Sequence, residues 1–539
     1  MIERRGTPRS DTSRGSRPEA RTVGALLDEL ALRHPSRLAL KAGQLSLDFA
    51  SLRSEVRALA QDLLADGLAP GEKLAILMGN RAEWLFLAFA AQLLGAVPVG
   101  INTWSSPREL EYVLAHSEAS LLFVARRFLK ADYVEMLEGL RPWRERFPAL
   151  RGIVVIDGEA GEGMTPFARF AGSGRGVNEA ALDARARAVG PEDPAILLYT
   201  SGSTSLPKGV LLAHKGLIEN MWEIGSHLHL LPDDRVWVAV SLFWGLGSVN
   251  ALFAAYTHAA AVVLQEFYEA GAALRLIARE RCTALYGTPN MLAGLMDHPE
   301  RSRYDLSAVN KCATIGSPEQ MRRAIAEVAP MTCQIYGLTE GYGNSAVTDA
   351  GDPPELRATT VGFPLASQKI RIVDPESGRE LPAGEAGEIR IKGQTMIGYH
   401  RDPARTAEAF DGEGWLKTGD LGLFDADGRL RFRGRIKEIV KSGGINISPA
   451  EVEEVLQAHP EVSQAYVIGL PDPVRDEVLA AVIVPRSGSA PSEAALAAHC
   501  RKALAAYKIP RHWRLVSESE LPLTVTGKLQ KNRLSELFR

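Results

Sequence analysis

AILLYTSGSTSLPKG, Ala195 to Gly209, runs from apolar residues and a tyrosine into small hydroxyls around one glycine, then Pro207, Lys208 and Gly209. The apolar half has the length and punctuation of a buried strand. The second half sets Thr200, Ser201, Gly202, Ser203, Thr204 and Ser205 at that strand's exit, where backbone amides emerge at a sheet edge. Glycine lets the backbone approach an anion closely, hydroxyls and amides donate to its oxygens, and Lys208 neutralises charge. The spacing is not G-x-x-x-x-G-K-[ST], so the nucleotide site of the P-loop hydrolases is not assigned. Taken alone, the run also reads as a Ser/Gly-rich surface turn. What separates the two is whether the rest of the chain supplies partners for phosphate chemistry.

Working outward, Ile153–Ile156, Val236–Val240, Ala261–Leu264 and Thr283–Tyr286 read as further strands among helix-like segments, which predicts a layered α/β body. Two more strands end on chemistry-bearing residues. KCATIGSPEQ exits at Gly316 and Ser317, with Pro318 suited to open a helix, and MTCQIYGLTEG exits at Tyr336 before Thr339 and Glu340. Three polar or small exits resemble the rim of one crevice.

The 539 residues allow roughly three or four domain-sized units. A composition of 46% hydrophobic and 24% charged residues is that of a globular chain, and a formal charge of -3 carries no signature for nucleic acid. Residues 1–20, mixing Arg, Ser, Gly, Pro and acids, read as a disordered tail. LFLAFAAQLLGAVPVGI from Leu85, interrupted by Gln92, Gly95 and Pro98, reads as a buried helix and strand rather than a membrane span. Cys282, Cys312, Cys333 and Cys500 are widely spaced and read as buried thiols in a reducing, cytoplasmic setting. His227 and His229 lack a third ligand for zinc, and His214 reads as packing or support for the serine-rich loop.

Near the C-terminus Asp427-Gly428 can close a hairpin, and a domain boundary is expected at Lys437. NISPAEVEEVL then opens a helix with Ser448 as cap, Pro449 at its first position and Glu451 as reciprocal capping partner. AYVIGL and LAAVIVP supply strands, and PSEAALAAHCRKALAAY a helix. The expected fold class is therefore α/β: a large multilayered domain over 21–436 with sheets and packed helices, and a small mobile α/β domain over 437–539.

YTSGSTSLPKG, IYGLTEG, GWLKTGDLG, RGRIKEIVKSGGINISPAEVE and PLTVTGK occur in the order found in the acyl-adenylate-forming enzymes, and INTWSSPRELEYVLAHSEASLLFV adds a weaker match. The chain after its tail resembles that family, in its acyl-CoA synthetase branch. The resemblance implies attack of a carboxylate on the α-phosphate of ATP, release of pyrophosphate, and transfer of the acyl group to coenzyme A. It implies that Thr200, Ser201, Gly202, Ser203, Thr204 and Lys208 line the phosphate loop, and that Tyr336 stacks on adenine beside Gly316 and Ser317. Thr339 would bond phosphate, Glu340 would coordinate Mg2+, Asp420 would bind the ribose hydroxyls and Arg435 would contact the nucleotide. Lys528 would bridge carboxylate and α-phosphate, Lys437 would be the hinge of a domain swing, and Gly443 and Gly444 would pass the pantetheine arm.

The segment SLFWGLGSVNAL resembles the family's acyl-contacting stretch, with Trp244 where many carboxylate-CoA ligases carry histidine and Gly245 where amino-acid-activating relatives carry Asp. No acid in that segment faces an α-ammonium, so a hydrophobic acid is expected. Tyr342, Gly343 and Asn344 are candidate pocket or rim residues, whereas Trp415 reads as core packing. Two alternatives share these residues: delivery of the adenylate to a carrier-protein phosphopantetheine, and a nucleotide-binding regulatory protein without turnover. The expected partners are small molecules, with no structural metal and a monomer or homodimer.

Overall fold

Alternation within the strands decides the layering. In Pro194–Thr200, Ile196 and Leu198 join one buried cluster while Leu197 joins another. In Arg235–Val238, Val236 and Val238 join the first cluster and Trp237 a third. Successive strand side chains point to opposite faces, so strands apolar at every position need cover on both. The computed structural model describes residues 17–200, 207–442, 445–472, 476–523 and 529–539.

A nine-stranded sheet has Met331–Tyr336, Lys311–Thr314, Ala284–Tyr286, Arg235–Val238, Ala261–Leu264 and Leu38–Ala42 as its parallel centre. An eight-stranded sheet runs from Gly398–Tyr399 through Lys208–Ala213, Pro194–Thr200, Val97–Gly100, Lys73–Leu77, Ala119–Val124 and Gly152–Val155 to Thr165–Pro166. Helices Val23–Arg33, Phe49–Ala65, Ala82–Leu93 and His214–His227 contribute to the cluster shared by both sheets. Pro107–Ser117 covers the far face of the second sheet and Ala270–Glu280 that of the first. The apolar run from Leu85 is split between Ala82–Leu93 and Val97–Gly100, and no described helix is long and apolar enough to cross a membrane. All four cysteines are buried and free, and burial pushes the Cys282 thiol up to about 12.

Four antiparallel strands, Gln368–Val373, Gly387–Gly393, Leu416–Phe424 and Leu430–Arg435, form a third sheet, with Gly428 at φ +81° in the hairpin turn. The next strand, Val440–Ser442, belongs to a different, five-stranded sheet with Ile445–Ile447, Asp476–Pro485, Val462–Asp472 and His512–Leu515. Between the two sheets lies only the 3₁₀ turn Ile436–Glu438 and Ile439.

Two local expectations are corrected. Helix Pro449–Gln457 starts where the sequence predicts, yet Ser448 makes no side-chain cap: its hydroxyl donates to the Arg433 carbonyl, while Glu451 accepts from Lys508. A hydroxyl and a carboxylate that meet stronger tertiary partners leave the capping box unmade. The tail expectation fails at its last four residues. Arg17 lies over the Trp222 ring at 5.6 Å and 3.0 Å from Glu219, Pro18 and Ala20 are buried, and the Ala20 amide donates to Glu29 at 2.8 Å. A guanidinium that finds both an indole face and a carboxylate has cause to order.

The start of the first sheet holds a buried ion pair, Lys311 Nζ to Asp234 Oδ2 at 2.6 Å, with side chains 7% and 6% exposed. Thr283 Oγ1 and the Leu231 amide donate to the same carboxylate at 2.6 and 2.7 Å. Lys311→Met is expected to cost about 3–5 kcal/mol in urea unfolding, because it strands a buried carboxylate. An unchanged midpoint would show that the pair contributes nothing.

Candidate active site

The opening stretch folds as a hairpin: Pro194–Thr200 pairs antiparallel with Lys208–Ala213, and Thr200 stands opposite Lys208. The predicted phosphate-loop residues Ser201, Gly202, Ser203 and Thr204 lie outside the described residues. The two stems are described, and one helix holds both. Tyr112 and His116 sit one turn apart on Pro107–Ser117, hence on one face. The Tyr112 hydroxyl donates to the Pro207 carbonyl at 3.1 Å, and His116 Nδ1 shares a hydrogen bond with the Tyr199 hydroxyl at 2.8 Å. Burial holds His116 below its ordinary pKa, which keeps a neutral ring there.

Lys208 opens the second stem, and its ammonium meets Glu340, which lies in the turn after Met331–Tyr336. Lys208 Nζ is 3.5 Å from Glu340 Oε1, and Glu340 is only 8% exposed. Beside this pair, bonded to both members, stands Tyr399, which the sequence did not signal. Its hydroxyl donates to Glu340 Oε1 at 2.7 Å and accepts from Lys208 Nζ at 3.1 Å, and its ring lies 4.6 Å from the ammonium. Glu340 Oε2 makes no hydrogen bond among the described residues and is a hard oxygen suited to a divalent cation. Thr339 is partly exposed in the same 3₁₀ turn, Thr339–Gly341.

A second group lies at the same strand exit. The buried Tyr336 donates its hydroxyl to Asp420 Oδ2 at 2.9 Å, and its ring is tilted against Phe432 at 5.7 Å. Asp420 faces Arg435 across the Leu416–Phe424 and Leu430–Arg435 pair, with Arg435 Nε 3.5 Å from Oδ1. Burial raises the Asp420 carboxyl to about 6, against the opposing pull of Arg435 and the Tyr336 hydroxyl. The negative charge of Glu340 adds to that rise, so the two carboxylates share one electrostatic neighbourhood. Gly316 is tied to the rim by Gln334, whose Nε2 donates to its carbonyl at 3.0 Å. Ser317 caps helix Pro318–Glu327 in a full capping box with Gln320, so its hydroxyl is engaged.

Trp244 and Gly245 precede the π-helical turn Leu246–Ala251. Trp244 is part of an aromatic group, 5.2 Å from Phe243 and 6.2 Å from Trp104. Asn250 Nδ2 donates to the Gly245 carbonyl at 3.2 Å and to the Tyr342 carbonyl at 3.0 Å, and so joins the acyl-contact segment to the turn after Glu340. Tyr342, named as a pocket or rim candidate, is buried. It is 1% exposed at φ +64°, its hydroxyl accepts from the Ala213 amide at 3.0 Å, and its ring fills the space where a Cβ on Gly216 would stand. Gly343, at φ +83°, lies where a side chain would strike Asn250, and Asn344 is buried. Trp415 departs from core packing as well: it is half-buried, with Arg371 over its ring at 4.4 Å.

Lys437 is exposed in the turn between the two sheets. Gly443, Gly444 and Lys528 lie outside the described residues. His214 is fully buried, and its Nδ1 accepts from the Val23 amide at 3.3 Å. His227 and His229 both meet Asp349, at 3.2 and 2.9 Å, and no described cluster of three or more ligands could hold a metal. A cavity of about 1150 Å³ lined by Asn80, Arg81, Phe86, Phe167 and Glu266 contains none of the predicted site residues.

The AMP-binding enzyme family model matches residues 27–400, and that of the AMP-binding enzyme C-terminal domain matches 451–528. A methyl-dioxo-octahydroindenyl propanoyl:CoA ligase of Mycobacterium tuberculosis is 35% identical, covering 96% of this chain and 99% of the relative. The solved structure of an anthranilate CoA ligase in complex with anthranoyl-AMP is similar with a TM-score of 0.80 and 28% identity, over 96% of each chain. ATP-bound MatB from Rhodopseudomonas palustris is similar with a TM-score of 0.80 and 25% identity, over 96% of this chain and 99% of its own. The chain belongs to the AMP-binding, acyl-adenylate-forming enzymes, in their acyl-CoA synthetase branch.

Proposed function

We propose a division of labour for a chain that is an ATP-dependent acid–thiol ligase, using ATP and then coenzyme A on a carboxylic acid. The observation that carries it is the convergence of Lys208 and Glu340, joined through Tyr399, with Tyr336, Asp420 and Arg435 at one strand exit. In the first step a carboxylate oxygen forms a bond to the α-phosphorus of ATP and the bond to pyrophosphate breaks. Two anions must approach each other, so catalysis rests on charge neutralisation and positioning. Lys208 and the amides and hydroxyls of Thr200, Ser201, Gly202, Ser203 and Thr204 hold the outgoing phosphates, with Thr339 beside them. Asp420 holds the ribose hydroxyls, Arg435 contacts the nucleotide, and Tyr336 carries the adenine beside Gly316 and Ser317. Glu340 is the ligand for Mg2+, which supplies charge neutralisation to the polyphosphate when bound.

In the second step the thiol sulfur of coenzyme A attacks the acyl carbon and AMP leaves. The small domain, 437–539, turns about Lys437, withdraws Lys528 and brings Gly443 and Gly444 to the crevice. The acid is hydrophobic, since the Trp244 segment offers no carboxylate to an ammonium and carries Phe243, Trp244 and Trp104 together. Two similar proteins are ligases of ring acids, which makes cyclic acids the first set to try.

The test is acid-dependent pyrophosphate release over aliphatic, alicyclic and aromatic acids, followed by identification of the product. An acyl-CoA thioester is expected. Transfer to a carrier-protein phosphopantetheine alone would assign the other acceptor, and ATP binding without pyrophosphate release across the panel would overturn the reaction.

Asp420 gives a signed pH dependence. Ribose hydroxyls donate to the ionised carboxylate, and burial raises that carboxyl to about 6, so ATP affinity falls as pH drops through 6. Between pH 7 and 5 the expected loss is about tenfold. Asp420→Asn removes this slope and leaves only that of ATP itself. Equal slopes in calorimetric titrations of both proteins would refute the ribose role.

A further inference from the structure

We infer that Tyr399 is a positioning residue that keeps Lys208 and Glu340 apart as separate ligands, one for phosphate oxygen and one for the bound cation. The inference rests on the roles proposed for those two residues. Its starting point is register. Tyr399 pairs with Val210 across the edge of the eight-stranded sheet, and Lys208 lies two residues before Val210. Residues two apart on a strand share a face, so the phenol reaches Lys208 on the diagonal. The same edge is fastened to the Glu340 turn, because the Met396 amide donates to the Glu340 carbonyl at 2.7 Å.

An ammonium and a carboxylate 3.5 Å apart in a half-buried crevice tend to close on each other. A closed pair satisfies both charges and leaves neither for a ligand. The phenol interrupts that closure. A hydroxyl carries one donor and accepts in addition, and here the donor goes to Glu340 Oε1 at 2.7 Å while the oxygen accepts from Lys208 at 3.1 Å. Glu340 keeps Oε2 for a cation, and the ammonium keeps two hydrogens for phosphate. The ring lies 4.6 Å from the ammonium and restricts the directions Lys208 can take.

Tyr399→Phe deletes the hydroxyl and keeps the ring. The probe is ATP, titrated calorimetrically with magnesium chloride and, separately, with EDTA. The expected result is about a tenfold loss of affinity in magnesium, the scale of one hydrogen bond to a charged group, against a smaller loss of about threefold in EDTA, where only the Lys208 contact to phosphate is at stake. Pyrophosphate exchange should show the same rise in KM for MgATP, with the KM of the acid unchanged. Thr406→Val is the structural control. Its hydroxyl accepts from the Tyr399 amide at 2.9 Å, so its loss loosens the same strand without touching the phenol, and it should lower thermal stability with no magnesium-specific effect.

Equal losses with and without magnesium in Tyr399→Phe would overturn the inference, as would a magnesium-specific loss of the same size in Thr406→Val. Glu340→Gln separates the two levels. If it loses MgATP affinity while Tyr399→Phe does not, only the positioning role falls. If Glu340→Gln itself binds MgATP normally, the metal assignment of Glu340 falls and the inference falls with it.

Discussion

Lys528→Ala is expected to lower acid-dependent pyrophosphate release by about 10²–10³-fold while leaving conversion of supplied acyl-adenylate to thioester within about twofold. The asymmetry follows from charge. When the acid's carboxylate closes on the α-phosphate, a group already surrounded by anionic oxygens gains another, and a positioned ammonium opposes that repulsion most at the transition state. The second step presents a different problem, a sulfur attacking an acyl carbon with AMP leaving, and an ammonium between carboxylate and phosphorus has nothing to bridge. Among the described neighbours, Leu529 pairs with Leu523, and Lys531 is held between Glu453 at 2.8 Å and Glu438 at 3.1 Å. The chain that follows Lys528 is thereby fastened to the small domain, which gives a lysine there a fixed base from which to enter and leave. Measuring the two half-reactions separately decides the matter: equal loss of both, with folding intact, removes the assignment.

The parts of this molecule legible in the sequence are those written in local pattern. Ala195–Leu198 announced a strand because four apolar residues end at hydroxyls and glycine, and Ser317-Pro318 announced a helix start because proline at the first position lacks only a donor that has no partner there. Asp427-Gly428 marked its hairpin because glycine at φ +81° relieves the turn. Tyr399 could not be found that way. It lies 191 residues from Lys208 in sequence, and only the pairing of two strands at a sheet edge brings them together. Asn250 is of the same kind, an amide whose two carbonyl partners sit on different segments.

Where the sequence misled, a tertiary partner outbid a local one. The Ser448 hydroxyl crosses to Arg433 instead of capping its own helix. Tyr342 turns inward because Gly216 opens a space for its ring, a complementarity between residues 126 positions apart that neither segment displays alone.

Lys437→Pro is expected to reduce thioester formation by about a hundredfold or more and adenylation by no more than about tenfold, with Lys437→Ala near wild type in both. The hinge is narrow. On its near side Arg435 faces Asp420 from the third sheet, and on its far side Glu438 is fastened through Lys531 to Glu453 in helix Pro449–Gln457. Ile436 and Lys437 lie between these anchors, where the backbone would absorb a change in direction. A swing of the small domain must also release Ser448 from the Arg433 carbonyl and Arg433 from Glu454, 3.9 Å away. Those bonds are few and partly exposed, so their loss is affordable if the backbone can turn. Proline fixes φ near −65° and disfavours the helical conformation of Ile436 before it, which explains a modest cost to the first half-reaction as well. The alanine variant removes the side chain and keeps φ free, so it isolates the backbone effect. If Lys437→Pro made thioester from supplied acyl-adenylate at the rate of Lys437→Ala, the two steps would not require two orientations about this residue.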